Sequence, residues 1–193
     1  QSADLIAWFE SEEVTHTFLP TGVFVQLDEL GIDSLLTKFL VGGDYLPTVK
    51  SKRAKVYNNY GPTECTVVST SSKVEYDQRK IPIGRPIPNT HTYVVDAYGD
   101  LQSDGYWGEL WIAGSGVAQG YLNQETLTRE KFIDNPFIQN TLLYKSGDIV
   151  RWDTKAQLEF NGRVDDQLKI RGNRVEPGEV DRILQTHEEI QHS

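Results

Sequence analysis

A short polar segment, Asn-Asn-Tyr-Gly-Pro-Thr-Glu at residues 58–64, lies between two apolar stretches of the chain. Residues 54–57 before it and residues 67–70 after it are predicted to be buried strands, so the polar turn is anchored at both ends. Gly61 lets backbone come close to a bound group, and Pro62 fixes φ. The sequence therefore predicts a rigid loop that can hold a ligand.

The end of this loop presents a hydroxyl and a carboxylate side by side, on Thr63 and Glu64. Such a pair suits a phosphate with its Mg²⁺, because hard cations take oxygen ligands and usually keep some water and substrate phosphate. The same residues are also typical of a β-turn that is capped by Thr and Glu. Spacing alone leaves both interpretations open.

The first fifty residues are predicted to alternate between helix and strand. Apolar residues indicate a short amphipathic helix over residues 3–9, residues 14–19 are β-branched and aromatic, and leucines from Leu27 to Leu40 recur at helical spacing. Alternation of this kind favours a parallel sheet covered by helices, with ligands at the carboxyl ends of the strands. Residues 18–21 and 40–44 are predicted to be two such strand ends, although Phe18 and Leu40 could equally be core residues.

Residues 74–160 show a different sequence pattern, which predicts short strands separated by tight turns. The predicted strands lie at residues 81–86, 91–96, 108–113 and 157–160, and one helix is predicted to begin at Thr126 or Thr128. This pattern indicates a small β-barrel or sandwich subdomain.

Three glycines in this region, Gly114, Gly116 and Gly120, have GxGxxxG spacing with no helical period after them. A dinucleotide fingerprint needs a strand before it and a helix after it. The glycines are therefore predicted to form a β-turn that packs against the barrel.

Asp148 follows the apolar residues 142–144 and is predicted to project from a strand end. A carboxylate there can accept two hydroxyl protons of a ribose, whereas the alternative is an ordinary turn aspartate. Residues 162–166 then mark a break, which is followed by a hairpin over residues 167–175 and a helix that begins near Pro177.

Composition limits the kinds of partner that this chain can have. A formal net charge of −9 argues against nucleic acid, which needs clustered Lys and Arg, and the basic residues at 50–55 are predicted to be a solvated loop. No signal peptide or membrane-length apolar run occurs, so we expect a cytoplasmic protein with no membrane partner. The sole cysteine, Cys65, excludes an intrachain disulfide and is predicted to be a small buried residue, not a nucleophile.

Four motifs occur in a fixed order along the chain, at residues 58–64, 108–122, 144–148 and 162–172. Together they closely resemble successive core motifs of the adenylation domains of nonribosomal peptide synthetases. These domains belong to the adenylate-forming superfamily, which also holds acyl-CoA synthetases and luciferases. The resemblance spans nearly the whole chain.

The resemblance implies a fold class and a domain organisation. It implies an α/β protein with the adenylate-forming superfamily fold. Residues 1–164 would be the C-terminal part of the large core, with an α/β layer over residues 1–73 and a β-barrel-like subdomain over residues 74–164. Residues 165–193 would begin the small α+β C-terminal subdomain, truncated here, so we expect a fragment of a longer chain.

Within the first motif, the resemblance implies a role for four side chains. Asn58 matches the position that hydrogen-bonds the adenine, and Tyr60 the ring that stacks on it. Thr63 is similar to the phosphate-contacting hydroxyl, and Glu64 to the Mg²⁺ ligand. All four are therefore expected to contact bound Mg·ATP.

Later motifs supply the ribose contact and the hinge. Asp148 matches the ribose-binding aspartate, and Arg163 lies where a ribose- or phosphate-side arginine is expected. Asp165 is similar to the hinge about which the small domain rotates, and Lys169 follows that hinge. Thr63, Glu64, Arg163 and Lys169 are therefore the candidate catalytic residues, which would act by positioning and by charge neutralisation at the α-phosphate.

A side-chain pocket for the amino acid is also implied. By alignment with the family, it is lined by Phe18, Leu40, Gly42, Asn59, Val67 and Val68. The set is apolar or glycine apart from Asn59, whose amide needs a partner. It resembles the pattern associated with leucine, and the chain as a whole resembles leucine-activating modules of cyanobacterial synthetases of the microcystin or cyanopeptolin type.

The implied activity uses ATP, Mg²⁺ and an amino acid to form an aminoacyl-AMP and pyrophosphate. The acyl group would then pass to a phosphopantetheine thiol on a carrier domain, beside condensation domains of the same multimodular chain. The glycine-rich phosphate loop, the aspartate for the substrate amino group and the late catalytic lysine do not occur in residues 1–193. The fragment alone is therefore expected to be inactive.

Two alternatives to this function are an acyl-CoA synthetase and a non-catalytic nucleotide-binding module. The peptide-synthetase character of residues 162–171 and 41–44 counts against the first. The second would be favoured if the longer chain lacked the late lysine or a carrier domain.

Overall fold

Two β-sheets organise the part of the chain that the computed structural model describes, which is residues 2–35, 37–165, 168–170, 173–175, 177–184 and 186. In the first half of the chain, the elements in order are α1 (Ser2–Ser11), β1 (His16–Pro20), α2 (Thr21–Leu30), β2 (Lys38–Gly42), β3 (Lys55–Tyr60), a 3-10 turn (Thr63–Cys65), β4 (Thr70–Val74), β5 (Arg85–Pro86) and β6 (Thr90–Val95). The second half contains β7 (Gly108–Gly114), α3 (Glu125–Lys131), β8 (Phe132–Asp134), β9 (Leu142–Trp152), β10 (Leu158–Arg163), β11 (Leu168–Ile170), β12 (Asn173–Val175) and α4 (Pro177–Leu184).

The first sheet has the strand order β1-β2-β3-β4-β5. Strands β1, β2 and β3 are parallel, whereas β4 and β5 are antiparallel to their neighbours. The alternation of helix and strand predicted for the first fifty residues is seen in α1, β1 and α2, although the helix predicted to reach Leu40 ends at Leu30 and β2 begins at Lys38. The parallel strands carry their carboxyl ends to one edge of the sheet.

The two faces of the first sheet differ because side chains alternate along each strand. One face packs on α1 and α2, in a core that includes Phe24, Leu27, Phe39 and Val41. The opposite face carries Phe18, which is 45% exposed. Helix α2 ends at Gly31, whose φ of 95° is accessible to glycine without a Cβ penalty.

The second sheet is antiparallel and has the order β10-β9-β7-β6, with β8 paired to β9. It lies in the region predicted to be a barrel-like subdomain. Its core is formed by apolar side chains that alternate along the strands, including Leu110, Ile112, Tyr144, Val150 and Leu158. A hairpin of β11 and β12 and the helix α4 follow, as the sequence predicts.

Strand boundaries around the polar turn differ from the prediction. The residues Asn58, Asn59 and Tyr60 belong to β3, where they pair with residues 70–72 of β4. The predicted strand at residues 67–70 begins only at Thr70, because Thr66 and Val67 have φ of 57° and 69°. This left-handed pair follows the 3-10 turn and is incompatible with an extended strand.

Three other predictions of local structure are wrong. Leu40 belongs to strand β2, not to the helical pattern that began at Leu27. Helix α3 follows Gln124 without a side-chain cap, since the hydroxyl of Thr128 instead accepts a hydrogen bond from the backbone N–H of Tyr121. Asp148 lies inside the long strand β9, not at a strand end.

The described residues include no helix long and apolar enough to cross a membrane.

Candidate functional site

A cavity of about 440 Å³ opens between the end of β3 and strands β9 and β10. Several side chains predicted from the sequence line it, although they come from distant parts of the chain. The lining residues are Gly43, Asp44, Tyr45, Leu46, Asn58, Asn59, Tyr60, Gly61, Ile81, Ile83, Asp148, Phe160, Gly162, Arg163 and Asp165.

Asn58 forms part of the cavity wall and is 6% exposed. Its Nδ2 donates to the carbonyl oxygen of Pro82 at 2.9 Å, and Thr70 Oγ1 donates to that of Ile83 at 2.6 Å. These two bonds fix the backbone of the segment that brings Ile81 and Ile83 to the cavity. The wall therefore combines a buried amide with aliphatic side chains, which suits a flat aromatic ring.

Tyr60 and Asp148 meet at the centre of the lining, although they are far apart in sequence. The Tyr60 hydroxyl donates a hydrogen bond to Asp148 Oδ2. Burial, together with the negative charge of Asp148, raises the pKa of Tyr60 well above its ordinary value of 10.0. The phenol therefore stays protonated at neutral pH and acts as a donor to the carboxylate.

The other oxygen of Asp148 accepts a charged hydrogen bond. Arg163 Nη1 donates to Asp148 Oδ1 at 2.7 Å, while its Nε and Nη2 donate to the two oxygens of Asp165 at 2.6 and 2.8 Å. Burial alone would lower the pKa of Arg163, but the two carboxylates outweigh it and raise that pKa. The arginine is thus a permanent cation between two acidic side chains.

Asp148 owes its position to an irregularity in β9. Ser146 Oγ donates to the carbonyl oxygen of Leu110 at 2.6 Å and accepts from the Asp148 N–H at 3.1 Å. Gly147 has φ of 73°, and its N–H donates to Glu109 Oε1 at 3.0 Å. The register between β7 and β9 shifts at this point, which turns the carboxylate toward the cavity.

Glu64 lies in the 3-10 turn and is 6% exposed. Its Oε1 accepts a hydrogen bond of 2.6 Å from the hydroxyl of Tyr121. Thr63 and Glu64 are outside the set of residues that line the cavity, whereas the neighbouring Gly61 is within it. The turn therefore adjoins the cavity through its backbone.

Cys65 is 3% exposed, which confirms that it is a buried residue. Burial, with a smaller effect of the Glu64 carboxylate, raises the pKa of its thiol to about 12. Because the thiolate is the nucleophilic form, this environment is that of an inert cysteine.

The predicted side-chain pocket is only partly assembled by the described residues. Phe18 and Gly42 are in contact, since a Cβ added at Gly42 would lie 3.4 Å from Phe18 Cζ and 2.6 Å from the Asn59 carbonyl oxygen. Leu40 pairs with Phe18 in the register of β1 and β2. Asn59 is the member of the predicted set that lines the cavity.

The two valines of the predicted pocket lie elsewhere, in the segment that follows the 3-10 turn. Val67 is 58% exposed and Val68 is half-buried. The side chain of Lys169 lies outside the described part of the structure, although its backbone belongs to β11.

Sequence reasoning missed several residues of the site. Ile81, Ile83 and Phe160 line the cavity, and their apolar character in predicted strands was the available signal. Tyr121 and Glu109 act on site residues through hydrogen bonds across 57 and 38 positions of sequence. No local pattern predicts such distant pairings.

Known proteins resemble this chain in sequence and in fold. The family model described as AMP-binding enzyme matches residues 1–122. Bacitracin synthase 1 of Bacillus licheniformis is 45% identical over 186 residues, which cover 96% of this chain and 4% of that protein.

Two solved structures share the fold over nearly the whole chain. One is NpsA-ThdA, an artificially fused adenylation-PCP di-domain NRPS from Klebsiella oxytoca, with 28% identity, a TM-score of 0.86 and coverage of 98% of this chain and 38% of that one. The other is holo-PA1221, an NRPS protein containing adenylation and PCP domains, with 28% identity, a TM-score of 0.89 and coverage of 100% and 36%. The chain thus spans a small part of the curated relative and little more than a third of each solved protein.

Proposed function

We propose, from the premise that this chain belongs to the AMP-binding enzymes, that it is part of an adenylation domain that activates an amino acid for nonribosomal peptide synthesis. In this reaction a carboxylate oxygen of the amino acid attacks the α-phosphorus of ATP. The bond between the α-phosphorus and the bridging oxygen breaks, and pyrophosphate leaves with the bond electrons. The products are aminoacyl-AMP and pyrophosphate.

The observation that carries this proposal is the hydrogen-bonded group of Tyr60, Asp148 and Arg163 in the cavity wall. The cavity has a volume of about 440 Å³, which lies in the range of small-molecule sites. A carboxylate offers about four lone-pair positions, which suits Asp148 to accept ribose hydroxyls beside the hydrogen bonds from Tyr60 and Arg163. The group then distinguishes a nucleoside from an apolar ligand of similar size.

The adenine would lie between the amide of Asn58 and the aliphatic and aromatic walls of the cavity. Asn58 is held by Pro82, so its orientation is set before a ligand arrives. Tyr60 supplies an aromatic face, and Phe160 lies 6.5 Å away between ring centroids. A preorganised wall of this kind lowers the entropy cost of binding.

The donor set around the 3-10 turn fits Mg²⁺. Glu64 and Thr63 offer hard oxygen ligands, and no cluster of three metal-ligating side chains occurs among the described residues. Mg²⁺ needs no such cluster, because it is usually held by one or two carboxylates together with waters and substrate phosphates. Glu64 and Thr63 would hold the ion, which would supply charge neutralisation at the phosphates.

Arg163 is suited to hold the ribose or phosphate side of the nucleotide, because it stays charged and its guanidinium is fixed by two carboxylates. We assign Asp165 to the hinge between the large core and the small subdomain. Lys169 follows that hinge along the chain and would act near the phosphates.

An Asp165→Pro variant of the complete protein tests the hinge. Because hinge residues absorb backbone rotation away from the chemistry, we expect adenylate formation to be largely intact while loading of the carrier thiol slows. The Asp165→Asn variant is the matched control, since it loses the charge that pairs with Arg163 but keeps its backbone freedom. Equal loss of both half-reactions in the proline variant, or equal effects of proline and asparagine on loading, would count against the hinge.

Carrier loading is the second half of the proposed function. The solved neighbours that contain both adenylation and PCP domains support it. Phosphopantetheine on a carrier domain would receive the acyl group from the adenylate, and condensation domains of the same chain would use it.

We infer leucine as the amino acid, from the pattern of Phe18, Leu40, Gly42, Asn59, Val67 and Val68. A pocket built from apolar side chains would leave a charged substrate desolvated and unpaired, at a cost of several kcal/mol. Phe18, Leu40 and the two valines would offer apolar contact to a branched aliphatic chain. The resemblance to leucine-activating modules of microcystin-type synthetases stays a prediction from the sequence.

The substrate is tested by ATP–pyrophosphate exchange of the complete protein with each proteinogenic amino acid. We expect leucine to give the highest kcat/KM. The kcat/KM for valine should be lower than that for leucine by only about 10- to 200-fold, because a hydrophobic pocket gains little binding energy per methylene. Arginine, glutamate or tyrosine as the best substrate would overturn the assignment, and exchange with none of the amino acids would overturn the proposed activity itself.

A further inference from the structure

The segment that follows β7 holds the Glu64 turn at three points. Thr66 Oγ1 donates to the carbonyl oxygen of Gly116 at 2.8 Å, and the N–H of Ala118 donates to the backbone carbonyl oxygen of Glu64 at 2.8 Å. The hydroxyl of Tyr121 donates to Glu64 Oε1 at 2.6 Å. We call residues 114–121 the brace. Its contacts reach Glu64 and Thr66, so each residue of the 3-10 turn is either in contact with the brace or adjacent to a residue that is.

Glycine is favoured at two positions of the brace, because other groups approach them closely. A Cβ at Gly116 would lie 3.1 Å from the carbonyl oxygen of Cys65. At Gly120, where φ is 145°, a Cβ would lie 2.4 Å from Thr128 Cγ2. Two glycines of the GxGxxxG pattern, Gly116 and Gly120, are therefore explained by contact with the Glu64 turn and with α3.

Tyr121 is itself held on several sides. Its backbone N–H donates to Thr128 Oγ1 at 2.9 Å, and its ring packs edge-on against Phe132 with centroids 5.4 Å apart. Its hydroxyl lies 3.4 Å from the hydroxyl of Tyr144. The donor that faces Glu64 thus has a fixed backbone and a fixed ring.

We propose that Tyr121 is a positioning residue that orients the Glu64 carboxylate for a divalent cation. This inference rests on the proposed role of Glu64 as the Mg²⁺ ligand. A glutamate has three rotatable side-chain bonds, and a hydrogen bond to one oxygen restricts the direction in which the carboxylate offers its remaining lone pairs. Groups that orient a metal ligand in this way typically change metal affinity by 10- to 100-fold when they are removed.

The brace also joins the two sheets at the site. Glu64 follows β3 and β4 lies beyond it, whereas Tyr121 follows β7 of the second sheet. Because the second sheet also carries Asp148, the brace connects the proposed ligand for the cation to the sheet that holds the proposed ribose carboxylate. The metal ion and the nucleoside are thereby placed relative to each other.

The test removes one hydroxyl, in a Tyr121→Phe variant of the complete protein. Manganese serves as the probe, since its binding can be measured by electron paramagnetic resonance in the presence of the unreactive analogue α,β-methylene-ATP. We expect the dissociation constant for manganese to rise by about 10- to 100-fold. Affinity for the analogue without metal should be unchanged, and exchange activity should recover at high Mg²⁺.

A matched control is Tyr93→Phe, which removes a hydroxyl from a half-buried tyrosine of the second sheet whose ring packs on Phe137. This variant should bind manganese as the unchanged protein does. Unchanged manganese affinity in Tyr121→Phe, with weakened affinity in Glu64→Gln, would overturn the positioning role and leave the proposed function standing.

Two other results have a different meaning. If Glu64→Gln leaves manganese affinity unchanged, the proposed metal role of Glu64 fails, and the inference about Tyr121 fails with it. If Tyr121→Phe weakens the analogue equally with and without metal, or lowers the melting temperature well beyond Tyr93→Phe, the residue is structural and the inference is overturned.

Discussion

Replacing Asp148 by alanine is expected to lower kcat/KM for ATP in amino-acid-dependent pyrophosphate exchange by roughly 10²-fold or more. The carboxylate is 5% exposed and accepts hydrogen bonds from Tyr60 and Arg163. Its removal deletes the proposed ribose contact and leaves Arg163 with Asp165 as its partner in that network. Exchange at the rate of the unchanged protein would refute the ribose assignment.

A comparison of nucleotides separates ribose binding from general damage to the site. ATP and 2′-deoxy-ATP should differ in the unchanged protein, and this difference should disappear in Asp148→Ala if the carboxylate binds that hydroxyl. The same comparison with 3′-deoxy-ATP examines the other hydroxyl. Asp104→Ala is the matched control, because Asp104 is an exposed carboxylate in a turn outside the cavity lining. Retention of both differences in Asp148→Ala would show that Asp148 does not bind the ribose hydroxyls and would refute the assignment.

Substitution of Gly61 by alanine is expected to destabilise the protein by about 1–3 kcal/mol and to impair exchange. A Cβ at this position would lie 2.6 Å from the carbonyl oxygen of Val67 and 2.7 Å from the N–H nitrogen of Ser69, both backbone atoms that cannot rotate away. The chain must therefore shift where the Ser69 N–H donates to the Tyr60 carbonyl oxygen at 2.7 Å. Urea unfolding and pyrophosphate exchange measure the two effects.

The control for this substitution has the opposite expected sign. Gly22 lies in α2, and a Cβ there meets nothing within 4 Å. Gly22→Ala should therefore stabilise the protein by about 0.5 kcal/mol, since alanine loses less backbone entropy than glycine on folding. If the two variants had the same stability, the close approach of backbone atoms at Gly61 would not be a reason for glycine at this position.

The β-branched and aromatic residues before Pro20 correctly predicted β1. The leucine spacing wrongly extended a helix to Leu40, whereas α2 ends before Gly31, which adopts positive φ, and Phe39 and Val41 are buried in β2. The boundary at β3 was wrong because asparagine is typical of turns. In the structure, Asn58 and Asn59 belong to strand β3 and line the cavity, and neither lies in a turn.

The sequence predicted several of the residues that line the cavity, but not the contacts between them. Motif resemblance placed Tyr60, Asp148 and Arg163 in one site, whereas the hydrogen bond between Tyr60 and Asp148 joins residues 88 positions apart. The turn of Asp148 toward the cavity depends on the register shift between β7 and β9, which arises from strand pairing. Periodicity within one strand carries no information about such a shift.

The brace has a consequence for the exchange of gene segments between related synthetases. Tyr121 and Glu64 are separated by 57 positions, and a crossover between them would join a Glu64 turn from one parent to a brace from another. Hybrids cut between residues 69 and 113 would keep every residue proposed to touch the amino acid from one parent, yet would inherit a mismatched support for the metal ligand from the other. Parents that differ at residues 114–121 are therefore better recombined before residue 58 or after residue 132.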